Sequence, residues 1–395
     1  MKIVHVVDYF QPILGYQEVF LAKEQAKLGH EVIVITSDRY APVLYINNAA
    51  ESMLGARIKT PGFFIEEGIK IWRLKTLFEI SSRAWMMGLE RKILELDPDV
   101  INVDGVNTIS ALRVALLKLK NKEVRNIRLI IDDHLNPEAS VNKLKVTYPI
   151  LRRTTLKIVS RAANALIAVS NTTKNFMHEK YGIPLERITV IPLGADTSIF
   201  RFDELARKEM RKQLNINNNN VVYIYTGKIV PFKYIHLLIE AGMNLVEKYH
   251  NVKVLLVGYG DETYKARLKK MIEERNLENH FIWCEAVPNK ELYKYFSAAD
   301  TAVWPHLHTN SILEAMACGL PVIVCNEARS CEEVKYDNGL IYKDLDEDDL
   351  KDKMEQFYLN KELRLKMGEN ALKIVRELYN WSIIAKEFIK IYEGS

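Results

Sequence analysis

Short runs of β-branched residues alternate with amphipathic helical stretches along almost the whole chain, and this alternation restricts the fold more than any other feature. It is typical of parallel sheets covered by helices, so the sequence predicts an α/β protein. In the first half the predicted strands are Lys2–Val7, Glu31–Thr36, Ile69–Leu74, Val100–Val103, Arg128–Ile131, Ala165–Val169 and Ile188–Ile191. The predicted helices there include Glu18–Lys27, Trp85–Leu94 and Ser110–Lys118.

The pattern restarts near residue 196, after a Pro-Leu-Gly-Ala-Asp stretch. The second set of strands is Val221–Tyr225, Val252–Val257, Phe281–Trp283, Thr301–Trp304, Pro321–Val324 and Gly339–Tyr342. The helices between and after them are Ile235–Lys248, Thr263–Glu274, Lys290–Ala298, Ile312–Ala317 and Leu363–Tyr392. A length of 395 residues allows about two to three domains. We therefore expect two Rossmann-like, doubly wound domains facing a crevice, where the carboxyl ends of parallel strands bind ligands.

Composition excludes several other classes of protein. Apolar residues make up 48% and charged residues 27% of the chain, as in ordinary soluble domains and unlike disordered or collagenous chains. No uncharged apolar run approaches the ~18 residues of a membrane-spanning helix, and the N-terminal run is too short for a signal peptide. The four cysteines form no C-x-x-C pair, which favours reduced thiols in a cytoplasmic protein.

The positive charge is uneven. Residues 1–195 hold 27 Lys and Arg against 20 Asp and Glu, although the whole chain has a net charge of only +4. Basic and apolar residues interleave between Lys143 and Arg161. Such a segment can make a peripheral contact with an anionic membrane face, or it can be the solvated side of a helix that packs on its own domain. Nucleic-acid binding is not expected, because no aromatic platform or known module accompanies these charges.

Loops that follow predicted strands carry the candidate chemistry. Gly15 lies in the first such loop and permits close backbone approach ahead of a helix N-terminus, which can bind an anion, although it can also be a plain turn glycine. Lys228 and Lys233 follow the first strand of the second domain. They can present two positive charges to a diphosphate, or they can be a solvated pair. This loop does not fit the phosphate-binding pattern G-x-x-x-x-G-K-[ST].

A third loop leads from Trp304 into a helix that Asn310 or Ser311 can cap, so the amides at Asn310–Ile312 are a candidate anion site. Glu314 falls in the first turn of that helix. Its carboxylate could accept two hydrogen bonds from a ribose diol, or it could only stabilise its own helix.

Three groups have the composition of a metal site. Asp132-Asp133-His134 ends a strand, but no second ligand cluster accompanies it, so His134 is interpreted either as a residue lining the crevice or as a structural one. The pair His306-x-His308 is interpreted as loop chemistry, and Asp344-x-Asp346 as the start of an acidic helix. No metal site is predicted.

Taken in order, these stretches resemble the family-4 retaining glycosyltransferases of the GT-B fold over essentially the whole chain. The matching segments are Leu28–Val32 with "r-G-H-e-V", Val169-Ser170 with "vS", Val190–Asp196 with "vipnGvD", Gly227–Lys233 with "GR…pxK", Leu256–Gly260 with "ivGxG" and Leu313–Val322 with "LEAMAxGxPV". Trp381 and Tyr392 resemble the C-terminal aromatics of a helix that returns to the first domain. The resemblance thus implies an acceptor-side domain of residues 1–195 completed by a helix at 376–395, and a donor-binding domain of residues 196–375.

The resemblance also implies a metal-independent enzyme without a cofactor. Its co-substrate would be a nucleotide-diphosphate sugar (a UDP- or GDP-sugar), and its acceptor a glycan, a lipid-linked sugar or a small molecule. Preorganised cations would stabilise the leaving diphosphate. By resemblance the catalytic residues are Lys228, Lys233, His134 and Glu314. The donor-binding residues are Gly15, Tyr16, Gly227, Gly258, Val287, His306, Asn310, Ser311, Ile312 and Glu314.

Three departures from the family pattern leave other hypotheses open. His306 stands where the family has the first acid of E-x7-E, Lys228 replaces an arginine, and Tyr16 and Tyr234 replace glycines. The main hypothesis is a transferase of cell-surface glycan, glycolipid or polysaccharide synthesis. A non-catalytic GT-B protein that binds a nucleotide or a partner transferase is the alternative, and an epimerase or phosphorylase is a third, because fold alone does not fix chemistry. The sequence carries no signal for the oligomeric state.

Overall fold

A computed structural model describes residues 1–48, 51–80, 82–135 and 148–394. Within these residues the chain forms two compact units. The first unit is Met1–Leu193 together with the helix that starts at Trp381, and the second unit is Gly194–Asn380. Each unit contains a mainly parallel sheet with helices, which confirms the predicted α/β class.

The sheet of the first unit has its amino-terminal strand in the middle, and all residues of this strand after Lys2 are buried. The strands are β1 (Lys2–Val7), β2 (Glu31–Ser37), β3 (Gly62–Glu66), β4 (Ile69–Leu74), β7 (Val100–Asp104), β8 (Arg128–Asp133), β9 (Ala165–Ala168) and β10 (Ile188–Val190), and β5 (Thr76–Ile80) and β6 (Arg83–Met86) form a separate hairpin. The order in the sheet is β10-β9-β8-β7-β1-β2-β4-β3, and β3 runs antiparallel to β4.

Helices cover this sheet, and their apolar faces join its core. They are α1 (Gln17–Lys27), α2 (Glu51–Leu54), α3 (Leu89–Leu96), α4 (Ile109–Lys120), α5 (Tyr148–Arg153), α6 (Thr155–Ala162) and α7 (Asn171–Phe176). Leu156, Val159 and Ala162 of α6 belong to the same buried cluster as Val4 and Val6 of β1. The apolar side of α6 is therefore used inside its own unit.

The second unit has a fully parallel six-stranded sheet in the order β13-β12-β11-β14-β15-β16. Its strands are β11 (Val221–Thr226), β12 (Val252–Val257), β13 (Phe281–Cys284), β14 (Thr301–Trp304), β15 (Val322–Cys325) and β16 (Gly339–Tyr342). Its helices are α8 (Glu204–Gln213), α9 (Ile235–Lys248), α10 (Glu262–Glu273), α11 (Leu292–Ala298), α12 (Ser311–Ala317), α13 (Ala328–Glu333), α14 (Glu347–Leu359) and α15 (Lys361–Leu378). The strand order reverses between β11 and β14, and open α/β sheets bind ligands at such a point.

The final helix, α16 (Trp381–Glu393), belongs to the first unit. The Trp381 ring stacks on Phe20 of α1 with 5.9 Å between ring centroids. The segment Leu363–Tyr392 is helical as predicted, but it consists of two helices, since α15 ends at Leu378 and α16 begins at Trp381. The helical backbone is interrupted between the two helices, where the carbonyl of Tyr379 accepts a hydrogen bond from the Ala195 amide at 2.8 Å.

The predicted helix Trp85–Leu94 is wrong at its start. Trp85 lies in β6, which pairs with β5 in the hairpin. The helical backbone begins only after Gly88, whose φ of 73° stops the strand from continuing. In the described part of the chain, no helix combines the length and the apolar character needed to cross a bilayer.

Two strand-exit loops of the second unit touch through their backbones, and glycine makes this contact possible. A Cβ atom on Gly258 would lie 1.9 Å from the carbonyl oxygen of Gly227, and one on Gly260 would lie 1.9 Å from that of Ile229. The Gly227 amide donates to the Val257 carbonyl at 3.0 Å, and the Ile229 amide donates to the Tyr259 carbonyl at 2.8 Å. The loop after β11 is therefore fixed to the loop after β12.

We expect Gly258→Ala to lower the free energy of unfolding by about 3 kcal/mol or more, because the new methyl group meets backbone and the φ of 157° disfavours it. Urea unfolding measures this loss. Gly29→Ala is the matched control: its φ of +88° is also positive, but nothing lies within 4 Å of the added Cβ. The control should lose only about 1–2 kcal/mol, and equal losses in both variants would contradict the close-contact argument.

Candidate functional site

Lys228 and Lys233 lie in the glycine-fixed loop after β11. The hydroxyl of Tyr225 donates to the Lys228 carbonyl at 2.8 Å, which holds the start of this loop. Lys233 Nζ donates to the carbonyls of Leu307 and His308 at 3.2 and 3.3 Å, so it also holds the loop after β14. The structure thus brings the predicted residues Gly227, Lys228, Lys233 and Gly258 to one edge of the sheet.

Both lysines are desolvated cations. Burial lowers the pKa of Lys228, and burial together with the charge of Lys228 lowers the pKa of Lys233 to about 8. Among the residues that the structure describes, no carboxylate forms an ion pair with either ammonium group. Two neighbouring, half-buried cations that form no ion pair among the described residues are complementary in charge to a doubly charged anion, although the charge of Glu327 partly offsets that of Lys233.

Glu314 is a buried carboxyl group that is only half satisfied. It lies in the first turn of α12 and is 3% exposed. Its Oε1 accepts a hydrogen bond from Asn289 Nδ2 at 2.7 Å, whereas its Oε2 is buried and without a partner. Burial raises the pKa of Glu314 to about 7, although the hydrogen bond from Asn289 opposes this shift. A ligand hydroxyl that reached Oε2 would complete its hydrogen bonding.

Val287, another predicted donor-binding residue, is half-buried in the loop between β13 and Asn289. It lies two residues before Asn289, the residue that contacts Glu314. Asn289 was not predicted, because its contact with Glu314 spans 25 residues and no local pattern announces it.

The amides at the start of α12 are already engaged. The Ser311 amide donates to Thr309 Oγ1 at 3.2 Å, and the Ile312 amide donates to the Thr309 carbonyl at 3.1 Å. Asn310 is the N-cap residue, but its side chain makes no capping hydrogen bond. An anion at these amides would have to replace the Thr309 contacts, so their predicted role stays a prediction.

His306 has an acidic partner that the sequence did not predict. Its Nδ1 lies 2.8 Å from Asp344 Oδ1, and its ring meets the Tyr234 ring edge-on at 4.8 Å between centroids. The ligand atoms of His306, Cys325 and Asp344 lie within 4.8 Å of one another, a group with the composition of a metal site. These residues follow or end β14, β15 and β16, so parallel neighbouring strands place them together.

In the first unit, the loop after β1 leads into α1 beside the end of β8. Gly15 has a φ of 63°, and Tyr16 is the N-cap residue of α1 with a side chain that is 37% exposed. The next residue, Gln17, donates from Nε2 to Asp132 Oδ2 at 2.8 Å. The structure thereby brings this loop next to the predicted His134.

His134 is held by carboxylates. Its Nε2 donates to Asp132 Oδ2 at 2.7 Å, and its Nδ1 lies 3.7 Å from Asp104 Oδ1. Burial lowers the pKa of His134, but the charges of Asp104 and Asp132 raise it further, to about 10. Asp104, Asp132 and His134 have the composition of a metal site. Without a metal the imidazole is a cation whose Nδ1–H is the less strongly bound of its two donors.

A buried chain of hydrogen bonds connects Asp132 to the last helix. Asn102 Nδ2 donates to Asp132 Oδ1 at 3.1 Å and contacts His5 Nδ1 at 3.5 Å. His5 Nε2 lies 2.7 Å from Gln25 Oε1, and Gln25 Nε2 donates to the Tyr392 hydroxyl at 3.2 Å. The orientation of Asp132, and through it that of His134, thus depends on residues from both ends of the chain.

Comparisons with known proteins identify the class. The chain covers the full length of the structure of HepE from Anabaena bound to UDP, with a TM-score of 0.76 and 19% identity, and HepE covers all of this chain. It also matches sucrose-phosphate synthase from Thermosynechococcus elongatus, with a TM-score of 0.73 and 18% identity, over 100% of this chain and 98% of that one. These likenesses establish the GT-B glycosyltransferase fold.

Sequence comparison then identifies the family. Residues 206–374 match the family described as Glycosyl transferases group 1, and residues 19–199 match Glycosyltransferase Family 4. An uncharacterized glycosyltransferase of Methanocaldococcus jannaschii is 26% identical over 300 residues, which are 73% of this chain and 72% of that protein. The GDP-mannose-dependent alpha-(1-6)-phosphatidylinositol monomannoside mannosyltransferase of Mycobacterium tuberculosis is 23% identical over 72% of this chain and 74% of its own length. The chain belongs to the family-4, group 1 glycosyltransferases and is a sugar-transferring enzyme.

We expect Glu314→Gln to remove a pH dependence of stability. In the wild type the folded state keeps the Glu314 proton between pH 4.5 and about 7 while the unfolded state loses it. The free energy of unfolding therefore falls as pH rises through this window, by about 3 kcal/mol, and then levels off. Thermal and urea unfolding of both proteins from pH 4.5 to 8 measure the difference. Glu285→Gln, at an exposed position, is the control, and parallel pH profiles for Glu314→Gln and wild type would contradict the assignment.

Proposed function

We propose that this chain is a retaining glycosyltransferase that moves a sugar from a nucleotide-diphosphate sugar to an acceptor hydroxyl. The observation that carries the proposal is the pairing, at one sheet edge, of two half-buried lysines that form no ion pair among the described residues and one buried carboxylate with an unfilled oxygen. The lysines match a diphosphate and the carboxylate matches a ribose diol. Gly194–Asn380 is then the donor-binding unit, and Met1–Leu193 with α16 is the acceptor-side unit.

In the proposed reaction, the acceptor oxygen attacks the anomeric carbon on the face that the leaving group departs from. The bond between the anomeric carbon and the phosphate oxygen breaks, and the diphosphate leaves with the electron pair. The proton of the acceptor hydroxyl passes to the departing phosphate oxygen, so the nucleoside diphosphate is the second product. Front-face attack gives a product with the anomeric configuration of the donor.

Lys228 and Lys233 act where negative charge grows during this step. The diphosphate gains charge as the bond breaks, and cations already fixed in a desolvated site stabilise that charge without reorganisation. We infer metal independence from this role, because the two ammonium groups supply the positive charge that the leaving group needs. Retained transfer after treatment with EDTA supports this inference, and proton NMR of the product reports the anomeric configuration.

The roles of the remaining predicted residues are proposed for each unit by itself. Glu314 Oε2 accepts a ribose hydroxyl, with Val287 and Gly258 beside the nucleotide. In the first unit, the family resemblance assigns Gly15 and Tyr16 to the diphosphate and His134 to the transferred sugar. The Asp344 carboxylate fixes the His306 ring, so His306 contributes an imidazole where an acid is usual, and Asn310, Ser311 and Ile312 line the phosphate side.

The nucleotide is either uridine or guanosine diphosphate. HepE of Anabaena was solved with UDP and with UDP-glucose, while the M. tuberculosis relative is described as GDP-mannose-dependent. A relative from Staphylococcus aureus, 27% identical over 60% of this chain, is a capsular polysaccharide biosynthesis glycosyltransferase. These relatives support an acceptor among cell-surface glycans, glycolipids or polysaccharides. A thermal-shift screen with both nucleotides and their sugars identifies the donor.

We expect Glu314→Ala and Lys233→Ala to lose transfer by about 100-fold or more, because each removes a contact that the nucleotide sugar needs. Donor consumption is measured with the nucleotide sugar found in the screen, and circular dichroism checks that the variants fold. Lys270→Ala removes an exposed lysine of the same unit and serves as the control. Full activity in both site variants would refute the site, and a wild type that binds nucleotide without consuming any donor would support the non-catalytic alternative.

The basic segment of the first unit concerns the acceptor. Lys143 and Lys145 lie outside the described residues. Arg153, Lys157 and Arg161 are exposed, while Leu156 and Val159 of α6 are buried in the core. This arrangement favours the solvated-helix interpretation, and a membrane contact through α6 would have to be electrostatic.

If the enzyme works at an anionic membrane face, it should bind vesicles containing phosphatidylserine at low salt and detach as salt screens the charges. Sedimentation at about 20 and 300 mM NaCl, chosen to bracket the ~10 Å Debye length at 0.1 M, measures this binding. Replacing Arg153, Lys157 and Arg161 together by glutamine should abolish it. Absence of salt-sensitive binding in the wild type would rule out this contact.

A further inference from the structure

Arg329 is a buried cation whose guanidinium group lacks two of its hydrogen-bond partners. It is the second residue of α13 in the second unit and is 5% exposed. Its Nε and Nη2 atoms are buried and have no hydrogen-bond partner among the described residues. These two nitrogens lie on the same edge of the planar guanidinium group, where their N–H bonds point in parallel. Burying the edge of a guanidinium group without hydrogen-bond partners costs folding free energy, and a ligand that bonds to this edge would offset that cost.

The same edge binds carboxylates elsewhere in this chain. Arg113 donates from Nε to Glu90 Oε1 at 2.7 Å and from Nη2 to Glu90 Oε2 at 2.5 Å. Arg73 donates from Nε and Nη2 to Glu66, with 2.9 Å between Nη2 and Oε2. Such two-point contacts favour a planar group with two oxygens. The empty edge of Arg329 therefore has the geometry of a carboxylate subsite.

The acids closest to Arg329 are occupied by other donors. Glu327 accepts from the Arg329 and Ser330 backbone amides at 3.2 and 3.0 Å, and it caps α13 in this way. Both carboxylate oxygens of Glu333 are within hydrogen-bonding distance of His308 Nε2, at 2.8 and 2.9 Å. Neither carboxylate bonds to the Arg329 side chain, so the edge is left for a group from outside the chain.

Arg329 shares its surroundings with the proposed diphosphate site. Burial and the charge of Lys228 lower the pKa of Lys233 most, the Glu327 carboxylate opposes this shift, and the charge of Arg329 adds to it, so Arg329 lies within electrostatic reach of Lys233. Lys233 in turn contacts the carbonyls of Leu307 and His308. Lys228 and Lys233 already match the two charges of a sugar-linked diphosphate. A third cation at this place matches a further negative group on the same ligand.

We propose that the Nε–H and Nη2–H groups of Arg329 bind a carboxylate on the sugar of the donor. The preferred donor is then a nucleotide-linked sugar acid, such as a uronate, and not a neutral hexose. This inference rests on the proposed function, since it places the sugar beside the diphosphate that Lys233 binds.

The test compares donors that differ only at the sugar carboxylate. Isothermal titration calorimetry measures binding of UDP, UDP-glucose and UDP-glucuronate, and of GDP, GDP-mannose and GDP-mannuronate. With the nucleotide that binds, the wild type should hold the sugar acid about tenfold more tightly than the neutral sugar. Arg329→Lys keeps the charge but loses the two-point edge, and Arg329→Gln loses both. Each should reduce the preference to about twofold or less while the affinity for the free nucleoside diphosphate changes less than about twofold.

Arg275→Gln, which removes a partly exposed arginine of the same unit, should leave all affinities unchanged. Melting temperatures of all variants check that they fold. If Arg329→Gln does not fold, Arg329→Lys alone still tests the inference. A wild type without preference for the sugar acid would overturn the inference. Equal weakening of the free nucleoside diphosphate by Arg329→Lys would also overturn it, because the edge would then serve the diphosphate. Failure of the wild type to bind any nucleotide would instead count against the proposed function.

Discussion

The candidate site depends on one close contact between backbones, at the glycines that end β11 and β12. Because Gly258 and Gly260 have no side chain, the two exit loops share backbone hydrogen bonds and behave as one surface. This surface keeps Lys228 and Lys233 half-buried near each other, although two like charges repel and would gain hydration by moving apart into water. The cost of desolvating them is a cost of folding that an anionic ligand recovers on binding.

Glu314 and Arg329 likewise have polar groups that the protein leaves without partners. Each is buried by strong local packing, and each keeps part of its hydrogen-bonding capacity free. The site therefore holds opposite charges at separate points, and this separation sets both the orientation and the chemical type of the ligand. A uniformly basic pocket would bind any polyanion, whereas the proposed site would select a ligand with hydroxyl donors for Glu314 and oxyanions for the cations.

The sequence predicted the class of fold and the central strands well, because buried parallel strands are continuous apolar runs whose limits are clear. It missed β3, β5 and β6, whose exposed and buried residues mix at the sheet edge or in the hairpin, and it therefore took Trp85 for a helical residue. It placed Lys228, Lys233 and Glu314 after the right strands. It could not find Asn289, Asp104 or Arg329, because their contacts join distant segments and no local pattern marks them, and it interpreted Asp344 only as the start of an acidic helix and not as the partner of His306.

The hydrogen-bond chain from Asp132 to Tyr392 has a consequence for biosynthesis. Gln25 and His5 are translated before the second unit and Tyr392 after it, so this buried row of hydrogen bonds stays incomplete until the chain has been synthesised through Tyr392. The first unit cannot mature in the vectorial order of the chain, even though its sheet needs nothing beyond residue 190. During synthesis of the second unit, Phe20 and Gln25 of the first unit therefore lack their contacts with α16. A chaperone that binds the nascent chain, or a premature stop codon, would act on the first unit in this incomplete state.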